Sequence, residues 1–514
     1  MAVRMFAAID VGSFELELGI YEMSYKTGIR LVDRVRHEIA LGGDTFSRGK
    51  IGYRLVDEMC RILGDFAAIM KEYRVKDYRA YATSALREAQ NRQVILDQIR
   101  VRTGLEVRII SNSEQRFISY KAIASKDTEF NRIIEKGTAI ADVGFGSVQL
   151  SLFDKDALVT TQNLPLGTLR IRSLLKEIPA SVADQKAHIE ELVDRELFTF
   201  KKMYLKDRNI TNLIAIGDNI LYLMRRLKEQ SGGDRIEAAV LNNFYETISH
   251  MSIEQIEERF GVNKEYAALL LPATVIYSRI LEMTGAERFW VPGIGLCDGI
   301  AAEYADENKI SRFSHNFEND ILAASRNMAK RYKCHTGHNQ ILEKYALELF
   351  DCTRRHHGMG RRERLLLQIA VILHGCGKFI SIRNSNESSY NIIRSTEIIG
   401  LSHMEREIVA NVVRYNVRDF EYDMVELEDQ NRPDLTILIA KLTAILRLAN
   451  AMDRTHRSKL ADCKMAVRED ELVVRTGYPG DLSLERDSFE QKAEFFEEIF
   501  GIRPVLKQKA TVHR

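Results

Sequence analysis

The chain opens with short apolar runs separated by a turn. Residues 5–9 are apolar throughout, and residues 16–20 place Leu16, Leu18 and Ile20 on one face of an extended segment. The turn Asp10-Val11-Gly12-Ser13 lies between them, so the pattern predicts a β-hairpin. From residue 53 to 73 the apolar positions recur every three or four residues, which predicts an amphipathic helix.

A second hairpin pattern begins at residue 138. An apolar run at 139–141 leads into the turn 142–147, and residues 148–153 alternate again. Both turns contain Asp-Val-Gly followed by Ser, and their aspartates, Asp10 and Asp142, stand 132 residues apart. That separation is about one domain length. We therefore predict an internal duplication of an α/β domain.

The pattern changes near residue 307, where strands give way to helical stretches that continue to about 457. The tail returns to mixed signals: residues 465–475 alternate like a strand, 488–500 are helical, and 503–509 resemble a last strand. We predict four domains, at 1–128, 129–306, 307–458 and 459–514. The first two would be α/β, the third all-α and the fourth a small α+β domain.

Composition and charge narrow the classes of function. The chain has 74 Lys and Arg against 73 Asp and Glu, a net charge of +1. This balance argues against a nucleic-acid coat or a membrane-surface protein, although it leaves room for a local basic channel. No signal peptide or membrane span is predicted, and the six scattered cysteines form no Cys-x-x-Cys pair. A cytoplasmic protein with reduced thiols is expected.

The two Asp-led turns are the first candidates for chemistry. Small residues let backbone amides approach an anion, and serine hydroxyls donate further hydrogen bonds. An aspartate beside a phosphate would be repelled unless a divalent cation lay between them. Together the turns predict a phosphate site with Mg²⁺ or a similar cation at Asp10 and Asp142, although such turns also occur in hairpins for conformational reasons alone.

The motifs and their order resemble the exopolyphosphatase / guanosine pentaphosphate phosphohydrolase (Ppx/GppA) family. The resemblance rests on residues 8–13, 82–91, 109–114, 142–149, 164–167 and 295–299. It covers residues 5–305 well and continues more loosely through a helical region similar to an HD-type domain. It implies the ribonuclease H-like superfold shared by acetate kinase, sugar kinases and actin, present twice.

The resemblance also implies roles for individual residues. Glu114 matches the carboxylate that positions or activates the attacking water, and Arg87 matches an arginine that holds phosphate oxygens. Asp10 and Asp142 match the metal side of the site. The two phosphate turns match at Gly12, Ser13, Gly144, Gly146 and Ser147. From the residues alone, Glu114 and Arg87 are equally consistent with ordinary positions at the start of a helix.

Several residues depart from the family pattern inside the same proposed site. Gln149 replaces a metal-side glutamate, Gln115 replaces a glutamate after Glu114, and Phe145 replaces a glycine of the second turn. Phe14 stands in place of an asparagine in the first turn, and Asp218 stands where the family often has glycine. These changes leave open a slow enzyme, an altered substrate or a binding protein without turnover.

The helical region lacks a complete HD motif, because His374 is followed by Gly375 rather than aspartate. His338 and Asp453 could serve as its ends. A scaffold is therefore expected, not a second hydrolase. A basic run in its early part could attract a polyanion: Arg354, Arg355, Arg361, Arg362, Arg364, Lys378, Arg383 and Arg394.

We therefore predict an exopolyphosphatase-like hydrolase that releases orthophosphate from polyphosphate ends, with pppGpp as a close variant. A non-catalytic sensor of polyphosphate or guanosine polyphosphates is the main alternative, and a kinase of the same superfold is the third. The resemblance implies a homodimer. Neither nucleic acid nor membrane is expected as a partner.

Overall fold

A computed structural model describes residues 3–126, 130–155, 157–176, 178, 182–206, 208–227, 234–427 and 432–509. The chain forms two compact units, Met1–Phe317 and Glu318–Arg514. The first unit is mixed α/β and the second is mostly helical, which confirms the predicted change from strands to helices near residue 307.

A five-stranded sheet organises the first part of unit 1, with strand order β3-β2-β1-β4-β5. Its strands are β1 (Arg4–Val11), β2 (Glu15–Ser24), β3 (Gly28–Glu38), β4 (Asp77–Ala82) and β5 (Val107–Ile109). The helices are α1 (Leu41–Arg48), α2 (Tyr53–Glu72), α3 (Ser84–Glu88), α4 (Arg92–Thr103) and α5 (Asn112–Lys126). The predicted hairpin at 5–20 and the helix at 53–73 are thereby confirmed.

A second sheet of six strands follows, with strand order β10-β11-β9-β6-β7-β8. Its strands are β6 (Thr138–Val143), β7 (Val148–Asp154), β8 (Ala157–Leu164), β9 (Asn212–Ile216), β10 (Arg235–Glu237) and β11 (Arg288–Trp290). The helices are α6 (Phe130–Ile134), α7 (Thr168–Leu175), α8 (Val182–Phe200), α9 (Asp218–Leu227), α10 (Ala238–Ile248), α11 (Ile253–Phe260), α12 (Lys264–Thr284) and α13 (Leu296–Glu307). A π-helical turn spans Lys201–Leu205.

The two sheets repeat one arrangement of strands. In each, the first strand pairs antiparallel with the second and parallel with the fourth: β1 with β2 and β4, and β6 with β7 and β9. The third strand then adds antiparallel to the second in both sheets. This repeated order is what a duplicated domain predicts.

The last helix of the predicted second domain packs on the first sheet. Alternate residues of β1 face opposite sides: Ala7 and Ile9 join a core with α2, whereas Phe6 and Ala8 pack with Ile300 and other residues of α13. The chain thus returns to the first sheet before residue 307. The four predicted domain boundaries stay a prediction.

Helix α12 is long and apolar enough to cross a membrane by length and composition alone. In the structure, 67% of its most apolar window is buried inside the protein. Residues such as Tyr277 and Ile280 of this helix belong to the core beside the second sheet. The helix is therefore explained as a core element of unit 1.

Unit 2 combines helices with a small sheet. The helices are α14 (Phe317–Arg331), α15 (Thr336–Cys352), α16 (Arg354–His357), α17 (Arg361–Leu373), α18 (Ser385–Ser395), α19 (His403–Arg414), α20 (Pro433–Ala451) and α21 (Ser483–Phe500), with 3-10 turns at Cys376–Phe379 and Tyr422–Met424. The strands are β12 (Lys464–Arg468), β13 (Glu471–Thr476) and β14 (Arg503–Gln508). The single strand predicted over 465–475 is wrong, because the chain reverses at Glu469, whose φ is +52°.

Candidate functional site

The two Asp-led turns have the same local structure. Asp10 is the last residue but one of β1, and Asp142 is the last residue but one of β6. In the first turn the Gly12 amide donates a hydrogen bond to the Glu15 carbonyl at 3.0 Å. In the second, the Gly144 amide donates to the Ser147 carbonyl at 2.9 Å. Each sheet therefore presents one aspartate at the same place, beside a tight turn.

The two turns approach one another closely. The hydroxyl oxygens of Ser13 and Ser84 lie 2.7 Å apart, and Ser84 in turn lies against Gly146 of the second turn. A Cβ on Gly146 would come within 2.4 Å of the Ser84 Oγ, so the second turn can lie here only with glycine at that position. The close approach brings both aspartates to one cavity.

This cavity has a volume of about 70 Å³, which is room for several water molecules. Seven of the nine predicted site residues line it: Asp10, Gly12, Ser13, Asp142, Gly144, Gly146 and Ser147. Gln115, Ser119, Gln149 and Asp218 also line it. The structure thus brings both predicted phosphate turns and both predicted metal-side acids together.

Glu114 lies outside the lining of this cavity. Its carboxylate accepts a hydrogen bond from the Ser111 amide at 2.9 Å and pairs with Arg108 at 2.9 Å, while its own amide donates to the Ser111 hydroxyl. This reciprocal arrangement is a capping box, and its Ser-x-x-Glu signal is present in the sequence. The role predicted for Glu114 at the attacking water stays a prediction.

Helix geometry explains which residues of α5 reach the cavity. Gln115 and Ser119 are four residues apart and share one helix face, whereas Glu114 lies about 100° around the axis from Gln115. The side chain of Ser119 also lies beside Asp142, where it partly offsets the burial that raises the pKa of that carboxyl. The amide of Gln115, not a carboxylate, is the group that α5 presents to the cavity.

Arg87 also lies away from the cavity lining. Its guanidinium donates to the Ile110 carbonyl at 2.6 Å and to the side chain of Asn112. Burial lowers the pKa of Arg87 to about 10. In this structure Arg87 ties down the start of α5, and its predicted contact with phosphate oxygens stays a prediction. Arg170 does contact a phosphate turn, through a 2.7 Å hydrogen bond to the Gly146 carbonyl.

Burial and mutual repulsion dominate the electrostatics of the two aspartates. Burial, and then the charge of Asp218, raise the pKa of Asp10 well above its usual value. The same two causes raise the pKa of Asp142 to about 7. One carboxylate oxygen of Asp10, Oδ1, is buried without a hydrogen-bond partner among the described residues. Oxygen donors that are buried, crowded and unsatisfied fit a hard divalent cation.

A second group of acids includes Asp218 of the cavity lining. Oxygens of Glu15, Glu17 and Asp218 lie within 4.8 Å of one another. The guanidinium of Arg36 contacts all three, at 2.7 Å from Glu17, 3.4 Å from Glu15 and 4.0 Å from Asp218. The guanidinium of Arg36 therefore provides a positive charge beside these acids. Sequence reasoning missed Glu15 and Glu17, although two acids alternating with leucines in a buried strand were a readable signal.

The two phenylalanines that depart from the family pattern contact each other. The rings of Phe14 and Phe145 lie 5.0 Å apart, and they join Leu169 and Leu269 in one buried apolar cluster. Phe145 directs its ring into this cluster between the turns, which accounts for a large residue inside the second turn. Each phenylalanine therefore has the ring of the other as a packing partner.

Comparison with known proteins places the whole arrangement in one family. The profile of the Ppx/GppA phosphatase family matches residues 20–307, and the profile of Ppx/GppA phosphatase, domain III, matches residues 322–492. The chain belongs to the Ppx/GppA phosphatase family. The predicted resemblance is thereby confirmed.

Individual members of the Ppx/GppA family are distant in sequence. The guanosine-5'-triphosphate,3'-diphosphate pyrophosphatase of Photobacterium profundum is 20% identical over 486 residues, covering 91% of both chains. Exopolyphosphatase 1 of Mycobacterium leprae is 24% identical, covering 58% of this chain and 88% of that one. The crystal structure of an exopolyphosphatase from Cytophaga hutchinsonii, 18% identical, matches with a TM-score of 0.52 over 60% of this chain and 99% of its own. This last likeness confirms a Ppx/GppA fold.

The part of the chain that matches domain III of the Ppx/GppA family contains a histidine cluster, His335, His338, His374 and His456. The Nδ1 of His338 lies 2.7 Å from a carboxylate oxygen of Asp453, and the ring of His456 stacks on His338 at 3.7 Å. The Nδ1 of His374 lies 2.7 Å from the Val371 carbonyl. His338, His374 and Asp453, which are expected at the ends and middle of an HD motif, therefore lie close together.

The predicted basic run of unit 2 is partly neutralised. Arg361 pairs with Glu318, Arg362 with Glu405, and Arg364 with Asp351. Paired arginines attract a polyanion less strongly than free ones. The basic channel stays a prediction.

Proposed function

We propose that this chain is a metal-dependent phosphohydrolase that releases orthophosphate from the ends of inorganic polyphosphate, with pppGpp as a close second substrate. One observation carries the proposal: two equivalent turns from two similar sheets place Asp10 and Asp142 on a single cavity. The names of the relatives support the same class of substrate, a phosphoanhydride. The reaction is hydrolysis of the terminal P–O–P linkage.

Asp10 and Asp142 would hold the cation, and Mg²⁺ suits their oxygen donors. When bound, such a cation offsets the negative charge of the terminal phosphoryl group and of the leaving oxygen. The raised pKa of both aspartates supports the assignment, because burial and the charge of Asp218 disfavour their ionised forms and a bound cation would offset that charge.

The turns and α5 supply the remaining groups. The hydroxyl of Ser147 and the backbone of Gly12 and Gly144 line the space for the phosphoryl oxygens. Gln115 orients the water, whose oxygen forms a new bond to the terminal phosphorus as the bridging P–O bond breaks. The water proton passes to a released phosphate oxygen, since an amide cannot accept it. A loose transition state needs positioning more than a strong base.

The direct test is phosphate release. We expect the full chain to release orthophosphate from polyphosphate in the presence of Mg²⁺ and to stop when EDTA is added. The Asp142→Asn variant is the matched control, because it keeps the shape of the side chain. Release no faster than that of the variant, with either polyphosphate or pppGpp, would defeat the proposal. Tight polyphosphate binding without release would assign the sensor function instead.

The proposal extends to the rest of the chain. We propose that the two sheets are ribonuclease H-like subdomains of the acetate kinase and actin superfold, and that the helical part of unit 2 is an HD-like scaffold without hydrolytic activity. Gly375 after His374 supports the second point. The unpaired cysteines support a reducing compartment such as the cytoplasm. The homodimer rests on the family resemblance.

A further inference from the structure

Gln149 is a buried polar side chain that lines the cavity. It is 3% exposed and lines the cavity, and its Oε1 has no hydrogen-bond partner among the described residues. A buried carbonyl oxygen left without a hydrogen-bond partner is unfavourable. A ligand in the cavity that binds the Gln149 Oε1 would satisfy this oxygen.

Asp142, Gln149 and Asp218 come from adjacent positions of one sheet. Asp142 on β6 is paired with Gln149 on β7, and on its other side it is paired with Ile216 on β9. Asp218 follows two residues later, at the start of α9. Gln149 and Asp218 thus flank Asp142 on its two sides, and all three line the same cavity.

The backbone before Asp218 is shaped around the carboxylate of Asp142. Gly217 has a φ of +94°, and a Cβ at that position would lie 2.7 Å from the Asp142 Oδ1. Glycine alone allows this approach without strain. Asp218 also repels both Asp10 and Asp142 more strongly than any other acid does. Asp218 is therefore close to both.

We propose that Asp218 is a third charged ligand of the cation at Asp10 and Asp142, with the Gln149 carbonyl oxygen as a neutral fourth. This inference rests on the proposed function, which supplies the cation. It adds a negative charge on the α9 side of Asp142, while the β7 side offers an uncharged oxygen. Carboxylates and side-chain carbonyls are both ligands that hard cations accept.

Glu15 and Glu17 are poorer candidates for the same role. Both are held by arginines: Arg36 contacts both glutamates, and Arg34 lies 3.3 Å from Glu17. Asp218 is 4.0 Å from Arg36, farther than either glutamate, and its side chain is 31% exposed. Asp218 lines the cavity, and neither glutamate is among the residues of that lining.

Mn²⁺ binding to the full chain, followed by electron paramagnetic resonance of the free ion, tests this assignment without substrate. We expect Asp218→Asn to weaken Mn²⁺ binding about tenfold or more. Gln149→Glu should tighten it, and the double variant should return to within about threefold of the unchanged protein, because one charge has moved across Asp142. Asp57→Asn, at an exposed acid paired with Arg102, is the control and should have no effect.

Mn²⁺ affinity of Asp218→Asn within about twofold of the unchanged protein would overturn the proposal. The same conclusion follows if the unchanged protein binds no Mn²⁺ or if Asp142→Asn has no effect on binding. Far-ultraviolet circular dichroism establishes that each variant is folded. Asp218-dependent Mn²⁺ binding in a protein that releases no phosphate would uphold this inference and defeat the proposed function, so the two fail separately.

Discussion

The cavity of unit 1 and the histidine cluster of unit 2 both gather titratable side chains, but the charges and hydrogen-bond partners around those side chains differ. In the cavity, Asp10 and Asp142 repel Asp218 and each is held at a raised pKa. In the histidine cluster, His338 and His374 each have a hydrogen-bond partner for Nδ1 within the same unit. Burial lowers the pKa of His374 to about 4, so its ring is neutral at pH 7.

The contrast lies in the charges that each region gathers. Like charges gathered around a cavity are unfavourable until a cation or protons join them, which is typical of functional sites. In the histidine cluster the Asp453 carboxylate is paired with the His338 ring, although the His338 Nε2 is buried without a hydrogen-bond partner among the described residues. Functional assignment therefore follows the unfavourable electrostatics of Asp10 and Asp142 and not the number of histidines.

The largest expected difference comes from matched carboxylate-to-amide changes. Asp142→Asn should lower kcat/KM for polyphosphate by about 10³-fold, because the cation loses a charged ligand. Asp453→Asn should leave the kcat of the folded enzyme unchanged but lower the free energy of unfolding by about 1–3 kcal/mol, because His338 loses its carboxylate partner. Phosphate release and urea unfolding measure the two effects.

Asp142→Asn and Asp453→Asn should change the free energy of unfolding in opposite directions. A carboxyl whose pKa rises to about 7 in the folded state destabilises that state once it is ionised, so in EDTA at pH 8 Asp142→Asn should raise the free energy of unfolding. At pH 4 this gain should disappear, since Asp142 is then protonated when folded. A stability loss at pH 8 equal to that of Asp453→Asn would contradict the comparison.

Acid should destabilise the protein through the histidine cluster. The folded-state pKa of His374 is about 4 against an ordinary 6.5, so the unfolded chain binds the proton first as the pH falls. Stability contributed by the neutral ring is present above pH 6.5 and is lost toward pH 4, by up to about 3 kcal/mol.

Thermal melting of the full chain at pH 7 and at pH 5 measures this loss. His374→Asn should shrink the difference between the two melting temperatures, whereas the same change at the exposed His356 should not. An unaltered difference in the His374 variant would assign the acid sensitivity to other groups.

Neighbouring residues of α5 should have opposite roles. Gln115→Ala should lower kcat by about 10²-fold with little change in stability, because the water loses the group that orients it. Glu114→Gln should keep kcat within about threefold and lower the free energy of unfolding by about 1 kcal/mol, because it weakens the cap of α5. A larger kcat loss in the Glu114 variant than in the Gln115 variant would restore Glu114 as the catalytic group.

The smallest expected effect concerns the contact between the two turns. Phe14→Leu and Phe145→Leu, alone and together, form a double-mutant cycle for the two rings, which lie 5.0 Å apart. We expect a coupling energy of about 1 kcal/mol in urea unfolding. A coupling energy near zero would show that the ring contact does not stabilise the fold.

Much of the fold was predictable because its signals are local. The hairpins at Asp10 and Asp142 follow from strict alternation around a turn, and both were located to within a few residues. The prediction of one strand over 465–475 was wrong for a local reason as well. The chain reverses at Glu469, a non-glycine residue with positive φ, and no common turn signal marks such a residue. The packing of α13 against the first sheet depends on distant contacts and left no signal in its own sequence.

The amino-acid sequence by itself determined the two phosphate turns and their aspartates, because spacing and small residues within a few positions specify a turn. Tertiary structure alone decided which side chains share the cavity. One step along α5 separates Gln115 at the cavity from Glu114 at the helix cap, and Asp218 reaches Asp142 only because β9 lies beside β6. Side-chain direction depends on how a helix or strand is rotated and paired in the fold, and residue identity does not carry that information.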